Sequence, residues 1–175
     1  MITKIYNFLK IKLIKFFFDF GFYKKKIINI NHNGVSLNFN VTNYLSFYRA
    51  KTFSNKEPET LDWIDNFTEN SIFFDIGANV GIYSIYAAKS KNCKVFCFEP
   101  SVFNLELLVK NIQLNNVNNS TYVIPIALNN KNSLESFNLS TLDNAGALSN
   151  FGHKFDQFGN EMIIKNYYNT LGMKL

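Results

Sequence analysis

Ile72-Phe73-Phe74-Asp75-Ile76-Gly77-Ala78-Asn79-Val80-Gly81 decides the fold. An apolar run ends in an acid and passes into a glycine-containing turn that opens a helix. That arrangement predicts bare backbone N–H groups and a helix N-terminus brought up against a ligand. A second apolar run, Val95-Phe96-Cys97-Phe98, ends in Glu99-Pro100. The acid follows the glycines by roughly 20 residues, the spacing of a carboxylate that bonds ribose hydroxyls. The two segments therefore predict neighbouring parallel strands with a ligand lying across their ends.

The flanks extend this pattern. A helix is expected from about Val80 to Lys89 with Ile82, Ile85 and Tyr86 inward, then a strand over Lys94 to Phe98. Ser101 suits the N-cap of a helix whose apolar positions are Leu105, Leu108, Val109 and Ile112. Thr121 to Ile126 reads as a third strand. The run Ile72 to Asp75 lacks alternation, as expected of a strand covered on both faces. Parallel strands joined by helices cross over right-handedly, so the fold class is α/β, a Rossmann-type sheet.

Upstream, Ile27 to Ile30 and Val35 to Phe39 flank Asn33-Gly34, the pair favoured in a two-residue hairpin turn. His32 is expected to be exposed beside that turn. Residues 41 to 55 carry no decisive signal. Pro58 then opens a helix with Leu61, Trp63, Ile64 and Phe67 on its apolar side, ended by Asn70-Ser71. Beyond Ala127 the signal thins: a strand over Leu134 to Leu139, a turn at Asp143 to Gly146, and a short strand over Met162 to Tyr168.

With 175 residues, 47% of them hydrophobic and 17% aromatic, the chain can bury a core and is not a disordered polypeptide. Its net charge of +5 accompanies a general enrichment in Lys, Asn, Ile, Phe and Tyr. Lys24-Lys25-Lys26 is the one dense basic cluster and RNA-binding signatures are absent, so no nucleic-acid partner is expected. Cys93 and Cys97 would share one strand face, a geometry unsuited to a disulfide, and they suggest a reducing, cytoplasmic compartment. Residues 1 to 23 mix Ile, Leu and Phe with lysines. They read as an amphipathic helix that either lies on a membrane surface, at its inner face, or docks on the domain or a second subunit. Lysines interrupt every apolar stretch there, so neither a secretory signal nor a membrane span is expected. Three segments result: the basic helix over 1–26, the hairpin and helix over 27–70, and the partial Rossmann-like domain over 71–175.

The residues suited to hold a ligand gather at the strand ends. Gly77 and Gly81 let the backbone turn tightly, Ala78 lies between them, and Asn79 can orient the turn through its side chain. Asp75 would repel a pyrophosphate but suits the ammonium of a bound amino acid. The spacing of the glycines likewise departs from the G-x-G-x-x-G of dinucleotide sites. Together these favour S-adenosylmethionine over a nicotinamide dinucleotide. Glu99, followed by Pro100, would take the ribose hydroxyls. Asn104 either reaches the same pocket or faces solvent, and Ala127 ends the third strand where an adenine edge belongs. No catalytic base stands out. Glu57 and Glu59 either line the acceptor side or serve as acids at a helix N-terminus. Asp143, Asn144 and His153 lie in a polar loop that could cover the acceptor, and the two histidines offer no metal-ligand spacing.

The segment Phe74 to Ser84 with Phe98-Glu99-Pro100 and Asn104 closely resembles the FkbM family of S-adenosylmethionine-dependent methyltransferases. Lys56-Glu57-Pro58-Glu59-Thr60-Leu61 and Ala127-Leu128 are similar to it as well. The resemblance spans roughly residues 44 to 152. It implies a class I methyltransferase fold and O-methylation of a sugar or other secondary metabolite, with Asp75, Gly77, Asn79, Gly81 and Glu99 on the cofactor. Members of that family continue into further strands, one of them flanking the first strand. On that comparison the chain reads as a fragment whose first strand is an open edge. Two rival readings are a nicotinamide-dependent oxidoreductase and a non-catalytic remnant.

Overall fold

In the computed structural model, residues 9–10, 12–17, 26–156 and 159–174 are described. Residues 9–10 and 12–17 are helical; the rest of the expected N-terminal helix lies outside the described residues. Among the described residues, no helix is long and apolar enough to cross a membrane.

Strands β1 (Lys26–His32) and β2 (Val35–Val41) form the antiparallel hairpin. Asn33 and Gly34 turn it with φ of 47° and 81°, the left-handed pair that matches strand twist. The segment without a sequence signal forms two helices, α1 (Tyr44–Lys51) and α2 (Phe53–Lys56). Asn43 and Ser46 cap α1 reciprocally, a capping box hard to see in the sequence because Ser stands where Glu or Gln is usual. Helix α3 (Pro58–Asp65) begins at its proline as expected but stops at Asn66, short of Asn70.

The centre is a parallel sheet of β3 (Ile72–Ile76), β4 (Lys94–Phe98) and β5 (Thr121–Ile124), in that order. Helices α4 (Ile82–Lys91) and α5 (Val102–Leu114) form its crossovers, giving the Rossmann-type α/β arrangement. The third strand ends earlier than expected. Its continuation, β6 (Ala127–Leu128), joins a second sheet with β7 (Ser133–Leu139), β8 (Asn150–Phe151) and β9 (Asn166–Met173), in the order β6-β9-β7-β8. The last strand thus starts later than the Met162 expected from sequence. It pairs with β6 and β7 and leaves β3 at the edge of its sheet.

One apolar core joins hairpin, helices and sheet through Leu37, Phe39, Phe53, Ile64, Ile85, Tyr86, Val95 and Leu108. Helix α5 also reaches the hairpin by polar contacts. The Asn115 side chain exchanges hydrogen bonds with the backbone of Asn38 (2.9 and 2.6 Å), and Asn111 Oδ1 accepts the Asn40 N–H at 2.8 Å.

All of these helices lie on one face of the sheet, and this overturns the expectation that β3 is covered on both. Phe73 is 7% exposed, whereas Ile72, Phe74 and Ile76 are 62%, 50% and 65% exposed. On the open face Phe74, Phe96 and Tyr122 stack across the three strands at 5.2 and 5.1 Å, with the Lys94 ammonium over two of the rings.

Three side chains depart from their expected places. His32 is half-buried, edge-on to Phe53 and Tyr86 and hydrogen-bonded to Ser54 at 3.0 Å. Trp63 is largely exposed, its ring resting edge-on against Phe67 and Phe73. Val109 faces solvent while Leu107 takes the inward position on α5.

Cys93 and Cys97 are free and buried, and burial pushes the Cys97 thiol up to about 12. Neither thiol should react with a disulfide reagent at pH 8 in the folded chain, and both should react in guanidinium. Rapid native-state labelling of Cys97 would contradict this packing.

Candidate functional site

A cleft of about 520 Å3 opens where β3 and β4 end, within the size range of small-molecule sites. Of the residues expected there, Asp75, Gly77, Ala78, Asn79, Glu99, Pro100 and Asn104 line it together. Gly81 does not: it packs behind the turn against Leu108 of α5. Ala127 lines an adjoining cleft of about 340 Å3, which shares Gly77, Pro100, Phe137 and Ser149 with the first.

The turn takes its shape from three left-handed residues, Gly77, Asn79 and Gly81, with φ of 77°, 53° and 80°. Two are glycines and the third is the residue type that best tolerates the conformation. Four of the amides expected to face a ligand are, however, engaged within the protein. The N–H groups of Gly77 and Ala78 both donate to the Phe98 carbonyl, at 2.8 and 3.0 Å. Gly81 N–H donates to the Ala78 carbonyl at 2.8 Å. Asn79 N–H donates to Glu99 Oε2 at 2.7 Å, and Ser101 N–H donates to Glu99 Oε1 at 2.8 Å. Asp75 accepts from the hydroxyl and the backbone N–H of Ser84 in the first turn of α4.

The cleft is consequently rich in acceptors. Burial pushes the carboxyls of Asp75 and Glu99 above their ordinary values, while their hydrogen bonds pull the other way. Asn79 and Asn104 both donate through Nδ2 to the Gly146 carbonyl, at 2.5 and 3.3 Å. Their Oδ1 atoms are buried without a partner among the described residues, an unfavourable state unless a ligand donor meets them.

The remaining walls come from α1 and α2, for which the sequence carries no decisive signal, from Glu57, one of the two acids considered for the acceptor side, and from the polar loop. Arg49, Lys56 and Glu57 reach the cleft from α1 and α2 and the residue that follows; Glu59 does not line it. Glu57 accepts from Lys56 Nζ and Tyr83 Oη, both at 3.0 Å. Its burial, the largest single influence, acts to raise its carboxyl, but those hydrogen bonds together with the positive charges of Lys56 and Arg49 hold it below the ordinary range. Gly146 to Ser149 form the cover. Tyr168 of β9 fastens the second sheet to the first by donating to the Pro100 carbonyl at 2.6 Å and accepting the Val102 N–H at 3.1 Å. In the polar loop, Asn144 donates to the Phe103 carbonyl, Asp143 stays outside the cleft, and His153 lines the adjoining one.

Fold and site together define a Rossmann-type α/β unit with paired acids at the ends of its first two strands. Among solved structures, the chain is similar to M. jannaschii TYW2 in complex with AdoMet at 20% identity, covering 58% of this chain and 44% of that one, with a TM-score of 0.43. It is also similar to a SAM-dependent methyltransferase from Agrobacterium tumefaciens, at 12% identity over 61% of this chain and 40% of that one, with a TM-score of 0.44. For Trm5b from Pyrococcus abyssi the values are 25% identity, 58% and 28% coverage, and a TM-score of 0.42. The chain spans less than half the length of each. No family model and no curated protein sequence matches it.

Proposed function

We propose that the cleft binds S-adenosylmethionine and that the chain serves methyl transfer of the FkbM type, to a hydroxyl oxygen of a small-molecule or glycan acceptor. The observation that carries this reading is the inward use of the turn's amides. A pyrophosphate needs donors, and the amides of Gly77, Ala78, Asn79 and Gly81 are already engaged. A sulfonium nucleoside with an ammonium and two ribose hydroxyls brings donors and positive charge instead. Asp75, Glu99 and the unpartnered Oδ1 atoms of Asn79 and Asn104 are acceptors suited to it.

When bound, the sulfonium supplies an electrophilic methyl group. The protein's part is orientation and exclusion of water. Glu99 and Asn104 hold the ribose, Asp75 sets the negative field beside the amino-acid part, and Ala127 borders the adenine in the adjoining cleft. The acceptor reading and the FkbM assignment rest on the motif resemblance. A cytoplasmic location with contact to an inner membrane surface through residues 1–23 belongs to the same proposal. Exposed Leu9, Leu13 and Phe16 recur there at helical spacing.

Equilibrium titration should give saturable S-adenosylmethionine binding and none of NADH; the reverse result would replace this reading with the oxidoreductase one. Affinity should fall as pH is lowered, because protonation cancels the charge on Asp75 and Glu99. Since burial raises both groups, the fall should begin above the range of exposed carboxylates and level off at higher pH.

A further inference from the structure

With four of the turn's amides spent on the protein itself, the carboxylate of an amino-acid ligand must draw on the N–H groups at the start of α4 or on a cation of the cleft. An amino-acid group carries a carboxylate as well as an ammonium, and the turn has no N–H among Gly77, Ala78, Asn79 and Gly81 to offer it. Two cations line the cleft. Lys56 is paired with Glu57 at 3.0 Å. Arg49 is different. It stands half-buried in the last turn of α1, and its Nε donates to the Ala145 carbonyl at 2.9 Å. Among the described residues its guanidinium makes no ion pair and no other hydrogen bond.

A guanidinium withdrawn from water without a carboxylate beside it is unfavourable. Burial pushes Arg49 below its ordinary value, while the more distant Glu57, Tyr83 and Glu99 pull it back. A purely structural role would be to tie α1 to the 145–149 loop through Nε. That role uses one of five donors and leaves the Nη edge, a planar fork matched to a carboxylate.

We propose that the Nη edge of Arg49 takes the α-carboxylate of the amino-acid part of S-adenosylmethionine; this rests on the cofactor reading above. Arg49 thereby selects ligands that retain that carboxylate. No bond is made or broken in this step.

The test is calorimetric titration of the full chain with S-adenosylmethionine and with its decarboxylated analogue, which keeps the sulfonium, ribose and adenine. The unsubstituted chain should bind the analogue about 10-fold or more weakly, one charged hydrogen-bonded contact being lost. Arg49→Gln should bind S-adenosylmethionine about as weakly as the analogue and leave analogue affinity within about 2-fold. Arg49→Lys, which keeps the charge but not the fork, should fall between. The proposal is overturned if Arg49→Gln weakens both ligands equally, the signature of a structural role, or weakens neither. If the unsubstituted chain binds neither compound, the cofactor reading itself fails and this inference with it; equal affinity for both would overturn the inference alone.

Discussion

Glu99→Gln is expected to weaken S-adenosylmethionine binding by about 100-fold or more, near 2.7 kcal/mol, as measured by titration calorimetry. Glu99 is 4% exposed and each of its oxygens already accepts a backbone N–H, from Asn79 and from Ser101. In the variant one oxygen becomes an NH2 group, which cannot accept. One turn amide is then left facing a donor, at about 1–3 kcal/mol for a buried unsatisfied group. The ligand hydroxyls simultaneously lose the charged acceptor that makes such bonds about twice as strong as neutral ones. Stability should therefore drop together with affinity, and a urea melt run alongside separates the two. Affinity near that of the unsubstituted chain would remove Glu99 from the site and the cofactor reading with it.

The second large effect lies in the turn itself, where Gly81 and Gly77 should respond differently. Gly81→Ala is expected to cost about 2–4 kcal/mol of folding stability. Its φ of 80° is unfavourable for any residue with a Cβ, and that Cβ would lie 2.4 Å from Leu108 Cδ1. Gly77→Ala carries the same kind of strain at φ 77° but meets no atom within 4 Å, so its cost should stay at about 1–2 kcal/mol. Gly77 borders both clefts, however, and its variant should bind ligand more weakly. Urea midpoints with titrations on both variants check this. Equal destabilisation by the two would contradict the packing of Gly81 on α5.

These positions also mark what sequence could reveal. Asn33-Gly34 declared the hairpin because few residue pairs accept two left-handed conformations in succession. Asp75 and Glu99 were legible because an acid at the end of an apolar run, at a fixed distance from glycines, has a chemical consequence. The covering of a strand was not legible. An unbroken apolar run such as Ile72 to Phe74 states what the strand prefers, and the number of layers packed on it depends on what the rest of the chain supplies. Arg49 carries no sequence signal for a different reason: it lies in a short helix without a motif and reaches the cleft only through tertiary packing. The inward use of the turn's amides could not be read either, because it depends on the Phe98 carbonyl of another strand. Val109 and Leu107 lie on nearly opposite sides of the helix, about 200° apart, and because α5 carries apolar residues on both sides their spacing alone does not say which side faces inward. The late start of β9 follows from pairing with Ser133 to Leu139, a partner too distant in sequence to be inferred.

The contacts of Asn111 and Asn115 with β2 have a wider consequence. Side-chain amides on a helix give that strand's outward backbone groups the partners another strand would have given, yet they offer nothing further to pair with. The ribbon ends there and provides no template. Ile72 to Ile76, at the edge of the central sheet, has no such closure among the described residues, so its outward backbone groups stay open to pairing with a further strand.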